Sequence, residues 1–226
     1  MNMQGYRLWW AGVFAVAFAF VESAIVVYLR AVLDIEDLIR DVPPLDPFIT
    51  ATELGRELAT LVLLAAAGWA IGRNLQTRLG FSFFVFGLWD IFYYVWLKVV
   101  LGWPDSLLDP DILFLIPLPW WGPVLSPLLI ALLCVLGGVF AVICDGRGKQ
   151  VRPRAWEWVA LAVGVLLVLY AFMADAIAIL PATAEELNRL RPSAFRWPAY
   201  LAGLAAMAWP VLRATWPPRL PTRRST

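Results

Sequence analysis

The sequence predicts an all-α membrane protein: a bundle of six transmembrane helices, with a Pro/Trp-rich interfacial or re-entrant segment between the third and fourth. Three observations predict it. The 226 residues are 62% hydrophobic and 15% charged, with a mean hydropathy of +0.74, far more apolar than an average soluble domain. Apolar stretches long enough to cross about 30 Å of hydrocarbon recur along the chain. Lys and Arg gather in alternate loops, as they do in multi-pass proteins.

The spans are expected at about 8–29, 52–71, 79–101, 124–143, 156–180 and 197–212, within one transmembrane domain covering 1–226. The first carries Ala17-Phe18-Ala19, which also fits a signal-peptide cleavage site. Its apolar run resumes past Glu22 to Leu29 and so reaches spanning length, which favours a retained helix. After it, Asp34 to Asp41 interleaves apolar and acidic residues before Pro43-Pro44, the pattern of a short surface helix. Gly68 and Gly72 in the second span, and Ala199 and Gly203 in the sixth, stand at a small-xxx-small spacing that suits close helix packing.

Between the third and fourth spans, six prolines from Pro104 to Pro127 forbid one continuous helix. Trp103, Trp120 and Trp121 there suit a membrane interface. Two readings of the segment stand: a re-entrant cap over one end of the bundle, or an interfacial connection with belt tryptophans. In the fifth loop, Thr183 and Glu186 have the spacing of a capping box that starts a short helix through Arg191. The sixth span is the weakest, with Pro198 near its start and Pro210 near its end, positions that disturb few backbone bonds.

Loop charges orient the bundle. With the N-terminus inside, eleven Lys or Arg residues fall on the cytoplasmic side (Arg7, Arg73, Arg78, Arg147, Lys149, Arg152, Arg154, Arg213, Arg219, Arg223, Arg224) and five outside (Arg30, Arg40, Arg189, Arg191, Arg196). The expectation is a multi-pass protein of the plasma (inner) membrane with both termini cytoplasmic and residues 213–226 as a short basic tail.

Seven ionisable residues then fall inside or at the rims of spans: Glu22, Glu53, Arg56, Glu57, Asp90, Lys98 and Asp175. Each charge costs about 2.5–3.5 kcal/mol at a helix centre, so such residues are retained where they pair, meet water or do work. Glu22 lies about 21 Å along the first span, and Lys98 about 12 Å beyond Asp90, which places all seven in the outer half. Glu53, Arg56 and Glu57 share a helix face at i, i+3 and i+4, so the arginine can bridge its neighbours. Asp90, Tyr94 and Lys98 step by four along one stripe, where the phenol can donate to the acid. Five acids face two bases, so complete pairing is impossible and the surplus must be protonated, hydrated or bound to a cation.

Glu22, Glu53, Arg56, Glu57, Asp90, Tyr94, Lys98 and Asp175 are therefore the candidate ligand or ion-binding residues. Asp105, Asp109 and Asp111, with the acids of the first loop, add an acidic mouth that concentrates cations. The competing reading is an ion-pair network that only fixes helix register.

Several chemistries are excluded. The chain has no histidine, which removes His-ligated haem, His-containing zinc sites, His-based acid–base catalysis, and the membrane-embedded CAAX-type and rhomboid-type proteases. Cys134 and Cys144 lie about 15 Å apart on one helix and cannot pair within it. No cofactor motif is present, and nucleic acid is not an expected partner, because the basic residues form no clustered face. The leading function is binding or translocation of a small cation or protons. The alternative is a non-catalytic accessory or assembly subunit of a larger membrane complex, motivated by abundant aromatics and small-residue faces. A lipid-modifying enzyme ranks third, without a catalytic signature. The lipid bilayer is the expected surrounding, and a homo-oligomer or complex subunits the expected partners.

Overall fold

The computed structural model describes residues 3–34, 47–183, 186–187, 190 and 193–215. In order, its elements are α1 (Met3–Leu33), α2 (Pro47–Ile71), α3 (Leu75–Leu101), β1 (Pro110–Phe114), β2 (Trp120–Pro123), α4 (Leu125–Gly146), α5 (Ala155–Ala178) and α6 (Trp197–Thr215). Helices α1 to α5 are each long and apolar enough to cross a membrane. The expected surface helix from Asp34 to Asp41 lies almost wholly outside the described residues. So does most of the short helix after Thr183, although its capping box is present: Glu186 accepts from the Thr183 N–H at 2.7 Å, and Thr183 Oγ from the Glu186 N–H at 3.3 Å.

Burial runs opposite to that of a soluble bundle. The buried face of α1 is Ala11, Ala15, Ala19, Glu22 and Ser23, and that of α2 is Glu57, Thr60, Leu64 and Gly68. Large apolar side chains point outward, among them Leu166 at 66% exposure and Val159 at 62%. A lipid-facing surface accounts for this pattern: apolar groups gain little by leaving hydrocarbon, so small and polar residues line the helix contacts.

Helix α3 is central, packed against α1, α2 and α4. Small residues of α1 form its contact with α3: Ala15 and Ala19 are fully buried with Phe84, Val85 and Trp89, whereas Ala17 is exposed. Two hydrogen bonds fix the register: Trp96 Nε1 donates to the Val16 carbonyl at 3.0 Å, and Ser23 Oγ to the Tyr93 carbonyl at 3.0 Å. The tight α2–α3 turn ends at Asn74, which caps α3 by accepting from the Thr77 N–H. Gly68 is required beside this turn, because a Cβ there would sit 2.3 Å from the Ser82 backbone nitrogen. Gly87 likewise meets the Ala131 carbonyl of α4. The small-residue motifs therefore serve contacts within this chain, including Gly203 of α6 against Gly164 of α5.

Helix α6 packs on α5 and also touches α4. It extends past Arg213, so the first residues of the expected tail are helical. Arg213 pairs with the buried Glu157 of α5 at 3.1 Å and lies over the Trp156 ring.

The Pro/Trp-rich connection, for which a cap and an interfacial link are the two expectations, forms a small antiparallel hairpin, the one pair of strands among the described residues. β1 pairs with β2 in the register Pro110↔Pro123, Asp111↔Gly122, Ile112↔Trp121 and Phe114↔Trp120, with an irregularity between Ile112 and Phe114. Four paired residues on each strand suffice because the hairpin leans on the helices: Trp120 stacks on Phe172 of α5 at 5.9 Å, and Gly122 approaches Ser126 and Phe172 too closely to admit a side chain. Lys98 Nζ donates to the carbonyls of Gly102 (2.6 Å) and Pro104 (2.8 Å), securing the exit from α3.

Candidate functional site

At the hairpin end of the bundle, α1, α2, α3 and β1 line a part-open cavity of about 260 Å³, walled on further sides by Pro127, Ile130 and Phe172. Its polar wall is built in three layers. Glu22 of α1 reaches α2, where its carboxylate accepts from Arg56 Nη1 and, at 2.7 Å, from Thr60 Oγ. The same guanidinium donates through Nε to Glu53 at 2.7 Å, the i,i+3 bridge expected from the spacing. Arg56 is thus held between two carboxylates, and Glu22 is nearly inaccessible at 3% exposure.

The second layer ties the hairpin to the helices. Both Glu57 oxygens accept from the Leu115 N–H, at 3.1 and 3.0 Å. Tyr94 Oη donates to Asp111 Oδ2 at 2.9 Å. A carboxylate from α2 and a phenol from α3 therefore hold the strand that roofs the cavity. Burial pushes the Asp111 carboxyl up to about 6, opposed by the Tyr94 hydrogen bond, the Arg30 charge and the Ile112 backbone, which all favour its ionised form.

The third layer is Asp90. It is half-buried, lines the cavity, and has no hydrogen-bond partner among the described residues. Rings flank it on its own helix: Phe86, Trp89, Tyr93 and Tyr94 all line the same space. Trp89 and Tyr93 lie 6.2 Å apart, and Tyr93 and Tyr94 meet edge to face at 5.1 Å.

The structure brings Glu22, Glu53, Arg56, Glu57, Asp90 and Tyr94 around one cavity and leaves Lys98 and Asp175 outside it. Tyr94 turns to Asp111 and not to Asp90, because the hairpin brings a second acid within reach of the phenol. Lys98 binds backbone carbonyls and stands 3.7 Å from the exposed Asp105. Asp175 instead accepts from the Ser193 N–H (2.8 Å) and hydroxyl (2.6 Å) and pairs with Arg196 at 3.3 Å, fastening the approach to α6. Asp111, Arg30, Thr60 and Tyr93 join the cavity without having been singled out for it. Arg30 lies 4.5 Å from the centre of the Trp103 ring.

Among the described residues the lining charges are thus five carboxylates (Glu22, Glu53, Glu57, Asp90, Asp111) against two guanidiniums (Arg30, Arg56). Among the described residues no group of three or more His, Cys, Asp or Glu side chains is arranged to hold a metal ion. Comparison with family models, curated proteins and solved structures finds no match to this chain.

Proposed function

We propose that this protein binds a small cation, or exchanges protons, in the cavity beneath the hairpin, and that the site serves passage of that ion across the membrane. The observation that carries the reading is Asp90: a carboxylate in a largely apolar cavity with no hydrogen-bond partner among the described residues. Partly shielded from water, such a group gains by sitting beside a positive charge or taking up a proton. Arg56 is already engaged by Glu22 and Glu53, and the Arg30 charge acts on Asp111, so Asp90 is left without a cation of its own.

The membrane frame for this reading is six spans, with α6 crossing beside α5 and both termini in the cytoplasm of a plasma (inner) membrane. The charge asymmetry of the loops supports that orientation. Thiol labelling of single-cysteine variants at Lys149 and Ser193 in intact cells tests it: Lys149 should be protected and Ser193 labelled by a membrane-impermeant reagent.

The binding reading is tested by titrating the protein in nanodiscs with Na⁺, K⁺ and H⁺ while following tryptophan fluorescence, since Trp89 adjoins Asp90. A saturable response that disappears in Asp90→Asn is expected. Identical titrations of the two proteins would remove the proposal.

An accessory role has a separate motivation in the apolar groove of about 780 Å³ between α1 and α3, walled by Trp9, Phe20, Phe92 and Trp96. Stoichiometric copurification of other membrane subunits would favour it.

A further inference from the structure

The cavity is poorly built for a bare metal ion. Hard cations take about six to eight oxygen ligands, whereas Glu22 and Glu53 are spent on Arg56, Glu57 on the Leu115 N–H, and one oxygen of Asp111 on Tyr94. Among the described lining carboxylates only Asp90 is wholly uncommitted. The space of about 260 Å³ is also close to the small end of organic ligand pockets, about 300 Å³, and far beyond the need of one ion.

Its walls are aromatic where the free carboxylate sits. Phe86, Trp89, Tyr93 and Tyr94 stand at i−4, i−1, i+3 and i+4 from Asp90 on α3, and the stacked pair Trp120 and Phe172 lines the same cavity. A carboxylate set among ring faces attracts a weakly hydrated cation, because each ring adds a favourable quadrupole term and the apolar body gains by leaving water. A strongly hydrated metal ion receives neither benefit. Tyr93, wedged between Trp89 and Tyr94, is the ring placed to contribute most without holding the hairpin, since it is Tyr94 that carries the bond to Asp111.

We infer that the ligand is an organic ammonium ion with an apolar body, seated against the α3 rings with Asp90 as its counter-charge. This inference rests on the cation-binding reading and narrows its substrate class.

The test is equilibrium binding of benzyltrimethylammonium to the full chain in nanodiscs, with Na⁺ and H⁺ titrated in parallel and Asp90→Asn, Asp90→Glu and Tyr93→Leu as variants. Saturable binding is expected, weakened by about tenfold or more in Asp90→Asn and by several-fold in Tyr93→Leu, and kept within about threefold in Asp90→Glu. Asp90→Glu preserves the charge, so its binding separates loss of the counter-charge from loss of the fold. Equal binding to wild type and Asp90→Asn would mean partition into apolar surface and would overturn the inference. No benzyltrimethylammonium binding beside an Asp90-dependent Na⁺ or proton response would overturn the inference and leave the cation site standing. Silence toward all three probes by folded wild type would remove both.

Discussion

Replacing Arg56 with Gln tests the ion-pair layer that holds α1 to α2. The substitution leaves Glu22, 3% exposed, with the Thr60 hydroxyl as its remaining donor. Removing one partner of a buried pair costs about 3–5 kcal/mol, and the surviving Thr60 bond puts this case near about 3 kcal/mol. At about 2–4 °C per kcal/mol for a chain of this size, the melting temperature should fall by about 6–12 °C. The single variant Glu22→Gln should cost less, about 1–2 kcal/mol, because Arg56 is partly exposed and keeps Glu53. The informative quantity is the double variant. With the buried charge gone, Arg56→Gln with Glu22→Gln should be more stable than Arg56→Gln alone. Thermal unfolding of all four proteins in the same nanodisc measures this cycle. A double variant whose loss equals the sum of the single losses would refute the coupling and with it the claim that Arg56 is consumed by Glu22.

Three other outcomes follow from the same geometry. Asp111 has its pKa raised from 3.8 to about 6 in the folded protein, so its protonated form is favoured on folding: this contribution is intact below pH 3.8, and lost as pH rises through 6. The rise corresponds to about 3 kcal/mol, so Asp111→Asn should gain stability relative to wild type between pH 5 and 7 in cation-free buffer, and a flat difference would contradict it. Burial of Asp111 sets this step, opposed by the Tyr94 hydroxyl of α3, the Arg30 charge of α1 and the Ile112 backbone. Glu57→Ala removes both acceptors of the Leu115 N–H and should cost about 1–3 kcal/mol, seen as faster hydrogen exchange at Leu115 with α5 and α6 unaffected. Gly87→Ala would place a Cβ 2.3 Å from the Ala131 carbonyl; it should separate α3 from α4 at a cost of about 1–3 kcal/mol or more, and unchanged thermal stability would show that the contact is loose.

The helices were legible because hydrophobic length is a strong local signal, and their polar faces were legible because a charge inside a span has few permitted neighbours. Glu53, Arg56 and Glu57 illustrate the second point: i, i+3, i+4 spacing alone predicts the bridge between Arg56 and Glu53. The bond from Arg56 to Glu22 needs the α1–α2 packing, which spacing within one helix does not contain. The hairpin was the main feature hidden from the sequence. Its strands are short, rich in proline and stabilised by Trp120 against Phe172, a contact across more than one element. Because the hairpin was hidden, Asp111 looked like one acid of a surface mouth, and Tyr94 was assigned to Asp90. Lys98 and Asp175 lie at the hairpin end, but depth along a helix does not determine azimuth, and both turn toward loop partners.

The cavity's character comes from this division of labour. Four of its five carboxylates have a protein donor, and those donors fix α1, α2 and the hairpin around the fifth. The most direct measurement is difference infrared spectroscopy of the carboxyl region on adding cation to the protein in nanodiscs, for wild type and Asp90→Asn. The expected result is a change in the carboxyl and carboxylate bands on cation binding that is absent in Asp90→Asn. An unchanged wild-type spectrum at saturating cation, or the same change in Asp90→Asn, would contradict the assignment of Asp90 as the counter-charge.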